Sequence, residues 1–185
     1  MAQIVTLKNL ASNTNDELRK FEKINTLIHK NSESASLFVA KEIASLIRER
    51  QKQGKMAVLG LATGSTPTKV YDFLVQFHQK DGLSFKNVIC FNLDEYYPME
   101  PDSIHSYVRF MNEHLFDHID IKKENANIPD GAVTKEKIRA YCDNYEQKII
   151  DSGGLDIQIL GIGSCLLYTS PSPRDLSTSR MPSSA

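Results

Sequence analysis

The chain of 185 residues has no tryptophan, only three cysteines and no long apolar run. Each shortage excludes something. Cys90, Cys142 and Cys165 are too few and of the wrong parity for a disulfide framework, and they lie far apart with no C-x-x-C pair. The expectation is reduced thiols and a cytoplasmic protein. The longest apolar stretches reach about 7 residues, against the ~20 that span a bilayer, so no membrane partner is expected. Lys8, Asp16 and Glu17 break up the N-terminus, which therefore lacks the apolar core of a secretory signal. A formal net charge of -1 provides no basic field for nucleic acid or anionic lipid. What remains, with 41% apolar and 24% charged residues, is an ordinary soluble composition and length enough for one domain with a real core.

Periodicity organises the middle of the chain. Ile24 to Ile28 can form a first strand. Ser32 or Ser34 can cap a helix whose Val39, Ile43, Leu46 and Ile47 share one apolar face, with Gly54 placed to end it. The run 56–61 is continuously apolar, the habit of a strand covered on both faces in a parallel sheet. It passes into Ala62-Thr63-Gly64-Ser65-Thr66-Pro67, with Pro67 suited to the first position of a helix that carries Val70, Tyr71, Leu74, Phe77 and His78 inward and stops near Gly82. Residues 87–91 read as another buried strand. A helix with Tyr107, Phe110, Met111 and Leu115 follows Ser103 or Ser106. Pro129-Asp130-Gly131 is a turn. Thr134 can cap a helix with Ile138, Tyr141, Cys142, Tyr145 and Ile149 inward, and 155–160 reads as a last buried strand. Strands alternating with helices predict an α/β fold: an open, mostly parallel, Rossmann-like sheet with helices on both faces, incomplete at the C-terminus.

Ligands of such sheets bind beyond the carboxyl ends of the strands, and two loops there carry polar groups. In the first, Gly64 permits close backbone approach, Thr63, Ser65 and Thr66 offer hydroxyls, and a helix begins. Its free N–H groups and roughly +0.5 charge suit an anion such as phosphate. The same residues also fit a plain capped turn with Thr66 as the cap. No Gly-Lys-Ser/Thr follows, so it is not a P-loop, and Gly161-x-Gly163 lacks the third glycine of a dinucleotide fingerprint. The second loop places two acids, Asp94 and Glu95, directly after a buried strand. One can serve as a general base; alternatively either can cap a turn or pair with Arg109. Neighbours on an extended chain point opposite ways, so one of the two faces a site. His114 and His118 have metal-compatible i, i+4 spacing but no clear third ligand, so a solvated face is the expectation and no metal is assigned. Cys90, inside an apolar strand, is expected to be an inert core thiol.

At these loops the sequence resembles the glucosamine-6-phosphate deaminase family. The resemblance is carried by 59–67, by 84–88, by Phe91-Asn92-Leu93-Asp94-Glu95-Tyr96, by 106–112, by 116–121 and by 154–163, and covers about residues 35–163 without an evident gap. The Asp-Glu-Tyr and Ser-Tyr segments separate it from the related 6-phosphogluconolactonases, which share the Gly-Ser-Thr-Pro type of loop. The resemblance implies conversion of glucosamine 6-phosphate and water to fructose 6-phosphate and ammonia, without metal or organic cofactor. It implies phosphate on Thr63, Gly64, Ser65 and Thr66, with Asp94 moving a proton between neighbouring sugar carbons. It also implies a homo-oligomer for the intact protein.

The sequence departs from that family after Gly163. A Gly-His loop with a Phe-Asn-Glu-Pro type of segment is expected there, carrying the histidine and glutamate of ring opening, and Ser164 to Leu167 stand in its place. Residues 164–185 hold 7 Ser and 3 Pro among 22. Such a tract is expected to be disordered, and it resembles translated adapter or vector DNA, so an artefactual end is expected. The expected organisation is an N-terminal extension over 1–30, the N-terminal part of a deaminase-like domain over 31–163, and the tail. A chain ending so is expected to lack activity. The alternative readings are a non-catalytic module that binds a sugar phosphate and, disfavoured by the Tyr96 and Tyr107 contexts, a 6-phosphogluconolactonase.

Overall fold

A computed structural model of the chain describes residues 26–161. The stretch 18–21, Gly163, Cys165 and the tail 164–185 lie outside them. Residues 26–28 do not continue the strand expected from Ile24, and Ile28 is 95% exposed. The segment 24–28 holds Asn25 and Thr26 among its apolar residues, and among the described residues no strand pairs with 26–28 to satisfy its backbone.

Helix α1 is Ser32–Lys52. Its cap is Asn31, not Ser32 or Ser34: Asn31 Oδ1 accepts from the Ser34 N–H at 2.8 Å, and Ser34 reciprocates, closing a capping box. Strand β1 is Ala57–Leu61, buried at every position. Helix α2, Ser65–Asp81, ends at Gly82 with φ +65, a left-handed cap that favours glycine. Strand β2 is Val88–Asn92 and helix α3 is Tyr107–His114, with Ser106 as its cap. The short β3, Ala126–Asn127, precedes α4, Ile138–Asp151, and β4, Ile157–Gln158.

All pairings are parallel and the spatial order is β3-β2-β1-β4. The chain steps from β1 through β2 to β3, then crosses back to the other side of β1. The topological switch therefore falls between β1 and β4. Pleating sorts the faces. Ala57, Leu59, Leu61, Val88 and Cys90 share a core with Ala40, Ile43, Ile47, Val70, Tyr71 and Leu74 from α1 and α2. Phe91, on the opposite face, meets Tyr145 of α4 edge-on at 5.7 Å. Helices cover both faces, as expected. Cys90 is buried and its thiol is pushed up by desolvation, which suits the inert role expected of it.

Two expectations about the last elements fail. Cys142 is exposed, and no residue of α4 is fully buried: Ile138, Tyr141, Tyr145 and Ile149 are half-buried. Cys142 follows Tyr141 by one residue, at the margin of that stripe, and faces solvent. The segment 155–160 was expected to be wholly buried strand, yet only Ile157 and Gln158 are strand and Leu160 is 57% exposed. Among the described residues β4 has a strand neighbour on one side only, so its outer flank has nothing to pack against.

Candidate active site

Both polar loops leave the carboxyl ends of central strands, side by side. The Leu93 N–H donates to the Leu61 carbonyl at 3.2 Å, so the two exits are tied. The buried Tyr71 hydroxyl donates to the Ala62 carbonyl, fastening α2 back onto the end of β1. Burial raises the Tyr71 phenol, which stays a donor.

In the first loop Gly64, not Thr66, is the cap of α2. Its φ of +102 and ψ of 178 lie in a region that is essentially glycine's alone. No side chain caps this helix end. Thr66 instead occupies the second helical position and Pro67 the third, so Pro67 stands two positions inside the expected one. That is still within the first turn, where a missing N–H costs nothing. Gly64, Ser65 and Thr66 are exposed, Thr63 is half-buried, and the Thr68 hydroxyl donates to the Gly64 carbonyl at 3.0 Å. The result is an uncapped helix N-terminus at the switch point, ringed by hydroxyls and open to solvent. It can hold an anion.

The second loop separates its two acids. Glu95 turns to the N-terminus of α3: Oε2 accepts from the Tyr107 N–H at 2.8 Å and from the Val108 N–H at 3.3 Å, while Oε1 accepts from the Tyr96 N–H at 2.9 Å. Glu95 is thus an added cap, and Arg109 pairs with Glu113 at 2.6 Å. Asp94 is half-buried.

Tyr107, absent from the sequence-based site, joins the loops. Its ring lies against that of Tyr96 with centroids 4.9 Å apart. Its phenol lies near enough to Tyr96, Thr63 and Asp94 for each of them to shift its titration. Burial, then the Tyr96 hydroxyl, then the Asp94 charge push the phenol up to about 12, against a lowering influence from Thr63. A signal existed: a tyrosine directly after a capping serine occupies the first helical position, where side chains lie at the loop end of the helix.

The histidines at i, i+4 do not converge. His114 stacks on Phe110 at 4.3 Å, and the His118 Nε2 meets the Glu113 carbonyl at 2.9 Å. Among the described residues no group of three or more His, Cys, Asp or Glu comes together as a metal site. No helix among them is long and apolar enough to cross a membrane.

A parallel sheet of order 3-2-1-4, with a glycine-opened helix and a carboxylate at adjacent strand exits, defines a Rossmann-like α/β protein. The chain belongs to the glucosamine-6-phosphate isomerase/6-phosphogluconolactonase family, whose model matches residues 30–164. A glucosamine-6-phosphate deaminase-like protein of Bacteroides thetaiotaomicron is 45% identical over 166 residues, which cover 89% of this chain and 25% of that protein. That match reaches into residues 1–30, beyond the family model. The glucosamine-6-phosphate deaminase of Bacillus velezensis is 47% identical over 125 residues, 68% of this chain and 51% of that one. Among solved structures, a monomeric glucosamine-6-phosphate deaminase superposes with a TM-score of 0.70 at 39% identity, covering 76% of this chain and 56% of its own. The 6-phosphogluconolactonase of Thermotoga maritima superposes less closely, with a TM-score of 0.59 at 26% identity over 75% of this chain and 59% of that one. The chain spans about half the length of the curated deaminases it matches.

Proposed function

We propose that this chain is the phosphate-binding and proton-transferring part of a cytoplasmic glucosamine-6-phosphate deaminase, which converts glucosamine 6-phosphate and water to fructose 6-phosphate and ammonia. The observation that carries the reading is the adjacency of the two loops: the Leu93 N–H donates to the Leu61 carbonyl at 3.2 Å, so the anion loop and the Asp94 loop leave the sheet side by side. Identity of 47% to a deaminase supports the choice of substrate over a lactone.

In this reading the sugar phosphate sits on the N-terminus of α2, held by Thr63, Gly64, Ser65 and Thr66. The charge and dipole favour the anion without a cation from this segment. Asp94 then takes the proton from the amine-bearing carbon of the opened sugar and returns it to the neighbouring carbon. A carboxylate suits this step because it can serve both carbons from one face. The ketose imine left behind adds water and releases ammonia. The resemblance puts the groups of ring opening after Gly163, where Ser164 to Leu167 stand instead; these positions lie outside the described residues. The monomeric deaminase is one protein of this fold, so the homo-oligomer implied by the resemblance draws no support from it.

The test is ammonia release from glucosamine 6-phosphate by the full-length protein, run beside hydrolysis of 6-phosphogluconolactone. Ammonia release that is lost in Asp94→Asn is the expected result. Lactone hydrolysis alone overturns the choice of substrate. Saturable binding of glucosamine 6-phosphate with no product of either kind establishes a binding module instead.

A further inference from the structure

Gly131 lies in the turn after β3, outside both loops, and is buried. A Cβ placed there would stand 2.6 Å from the Tyr96 carbonyl oxygen, 2.6 Å from the Met99 Cβ and 2.8 Å from the Met99 carbonyl oxygen. Two of these three are backbone atoms and the third is the root of a side chain, so none can swing aside. The same turn holds the loop, because the Met99 N–H donates to the Gly131 carbonyl at 2.9 Å. The turn is itself anchored from the other face of the sheet: the Asp130 N–H donates to the Tyr141 hydroxyl of α4 at 2.8 Å, and Asp130 Oδ1 accepts from the Ala132 N–H at 2.9 Å.

We propose that Gly131 is a positioning residue of the active site: its missing side chain lets the turn after β3 seat the Tyr96–Met99 backbone where Tyr96 meets Tyr107, two residues from Asp94. The proposal rests on the deaminase reading for its meaning in catalysis, though not for its geometry. Ordinary van der Waals contact begins at 3.4 Å. A Cβ at Gly131 therefore forces the Tyr96 carbonyl back by about 0.8 Å, one residue from Glu95 and two from Asp94. A misplacement of about 1 Å costs on the order of 100-fold in a positioned reaction.

The test uses the full chain labelled with ¹³C-tyrosine. Tyr96 and Tyr107 are assigned by their Phe variants, and their ring–ring cross-peak reports the 4.9 Å pair. In Gly131→Ala that cross-peak is expected to weaken and both resonances to shift. Gly82→Ala is the control: it strains a φ of +65 in open space and should leave the pair unmoved. Tyr141→Phe, which only releases the Asp130 N–H, should shift the same two tyrosines less and in the same direction. Where Gly131→Ala folds, unchanged Tyr96 and Tyr107 signals overturn the proposal. Where it does not fold, unchanged signals in Tyr141→Phe overturn it. A full-length protein, continued beyond this segment, that releases no ammonia would refute the deaminase reading and leave these spectra equally decisive about the turn.

Discussion

Asp94 and Glu95 are neighbours with the same functional group and, on the geometry described, opposite duties, so exchanging each carboxylate for its amide should separate stability from turnover. Glu95 gives both oxygens to backbone N–H groups of Tyr96, Tyr107 and Val108. Glutamine keeps one accepting oxygen and presents an NH₂ where the other stood, so contacts to at least one N–H are lost. Hydrogen bonds to a charged group contribute ~1.5–3 kcal/mol, and the half-exposed position argues for the low end. Loss of negative charge at the N-terminus of α3 adds ~0.3–1 kcal/mol. Glu95→Gln should therefore cost about 2 kcal/mol, or about 4–8 °C in Tm for a chain of this size. Thermal unfolding followed by circular dichroism measures it. Glu113→Gln is the comparison, because it removes an exposed i, i+4 pair with Arg109 that contributes only ~0.3–0.5 kcal/mol. Asp94→Asn in the full-length protein should lower ammonia release by at least ~100-fold, the usual contribution of a general base. Near-normal turnover in Asp94→Asn, together with a Tm for Glu95→Gln no lower than that of Glu113→Gln, would refute the division of labour.

Gly64→Ala forces a side chain into a glycine-only region and should cost ~1–3 kcal/mol while weakening inorganic phosphate binding, read by titration calorimetry. Asp94→Asn should lower the Tyr107 titration from about 12, because it removes a negative charge that opposes the phenolate; tyrosine ¹³C shifts against pH give the value. Asp120 is resisted by burial but held below its ordinary 3.8 by the Phe85 N–H, the Ser84 hydroxyl and His78. Its folded form binds fewer protons than the unfolded chain, so its contribution is complete above 3.8 and is lost as pH falls through the depressed value. Urea midpoints across that acid range should fall less steeply in Asp120→Asn than in the parent, and parallel slopes would remove Asp120 from the acid response.

The parts of the fold that were legible are those settled by local pattern. An unbroken apolar run such as 57–61 needs two covered faces wherever it sits, and the Gly64 loop after it needs a residue free of Cβ strain whatever it binds. The parts that were not legible depend on a neighbour. Whether 155–160 is buried depends on the next strand, and the inward reach of Cys142 depends on how far α4 extends over the sheet. The choice between Asp94 and Glu95 was open for the same reason: periodicity says that they diverge, but only the backbone of α3, some twelve residues on, decides which one becomes a cap.

The coupling of the two loops belongs to neither motif. In this topology the reversal of strand order falls beside β1, and ligands of such sheets bind beyond the carboxyl ends of the strands there. The anion loop leaves β1 and the carboxylate leaves β2, so their adjacency follows from the parallel register that sets Leu61 opposite Asn92. Adjacency alone does not aim a side chain. Aim comes from Tyr107 against Tyr96, from Glu95 under α3, and from a turn after β3 whose glycine admits the loop backbone. These are long-range contacts between residues that are individually ordinary: a tyrosine after a serine, a second acid in a pair, a glycine in a Pro-Asp-Gly turn. Strand ends bring the candidate groups side by side, and contacts from outside the motifs fix the loops that carry them.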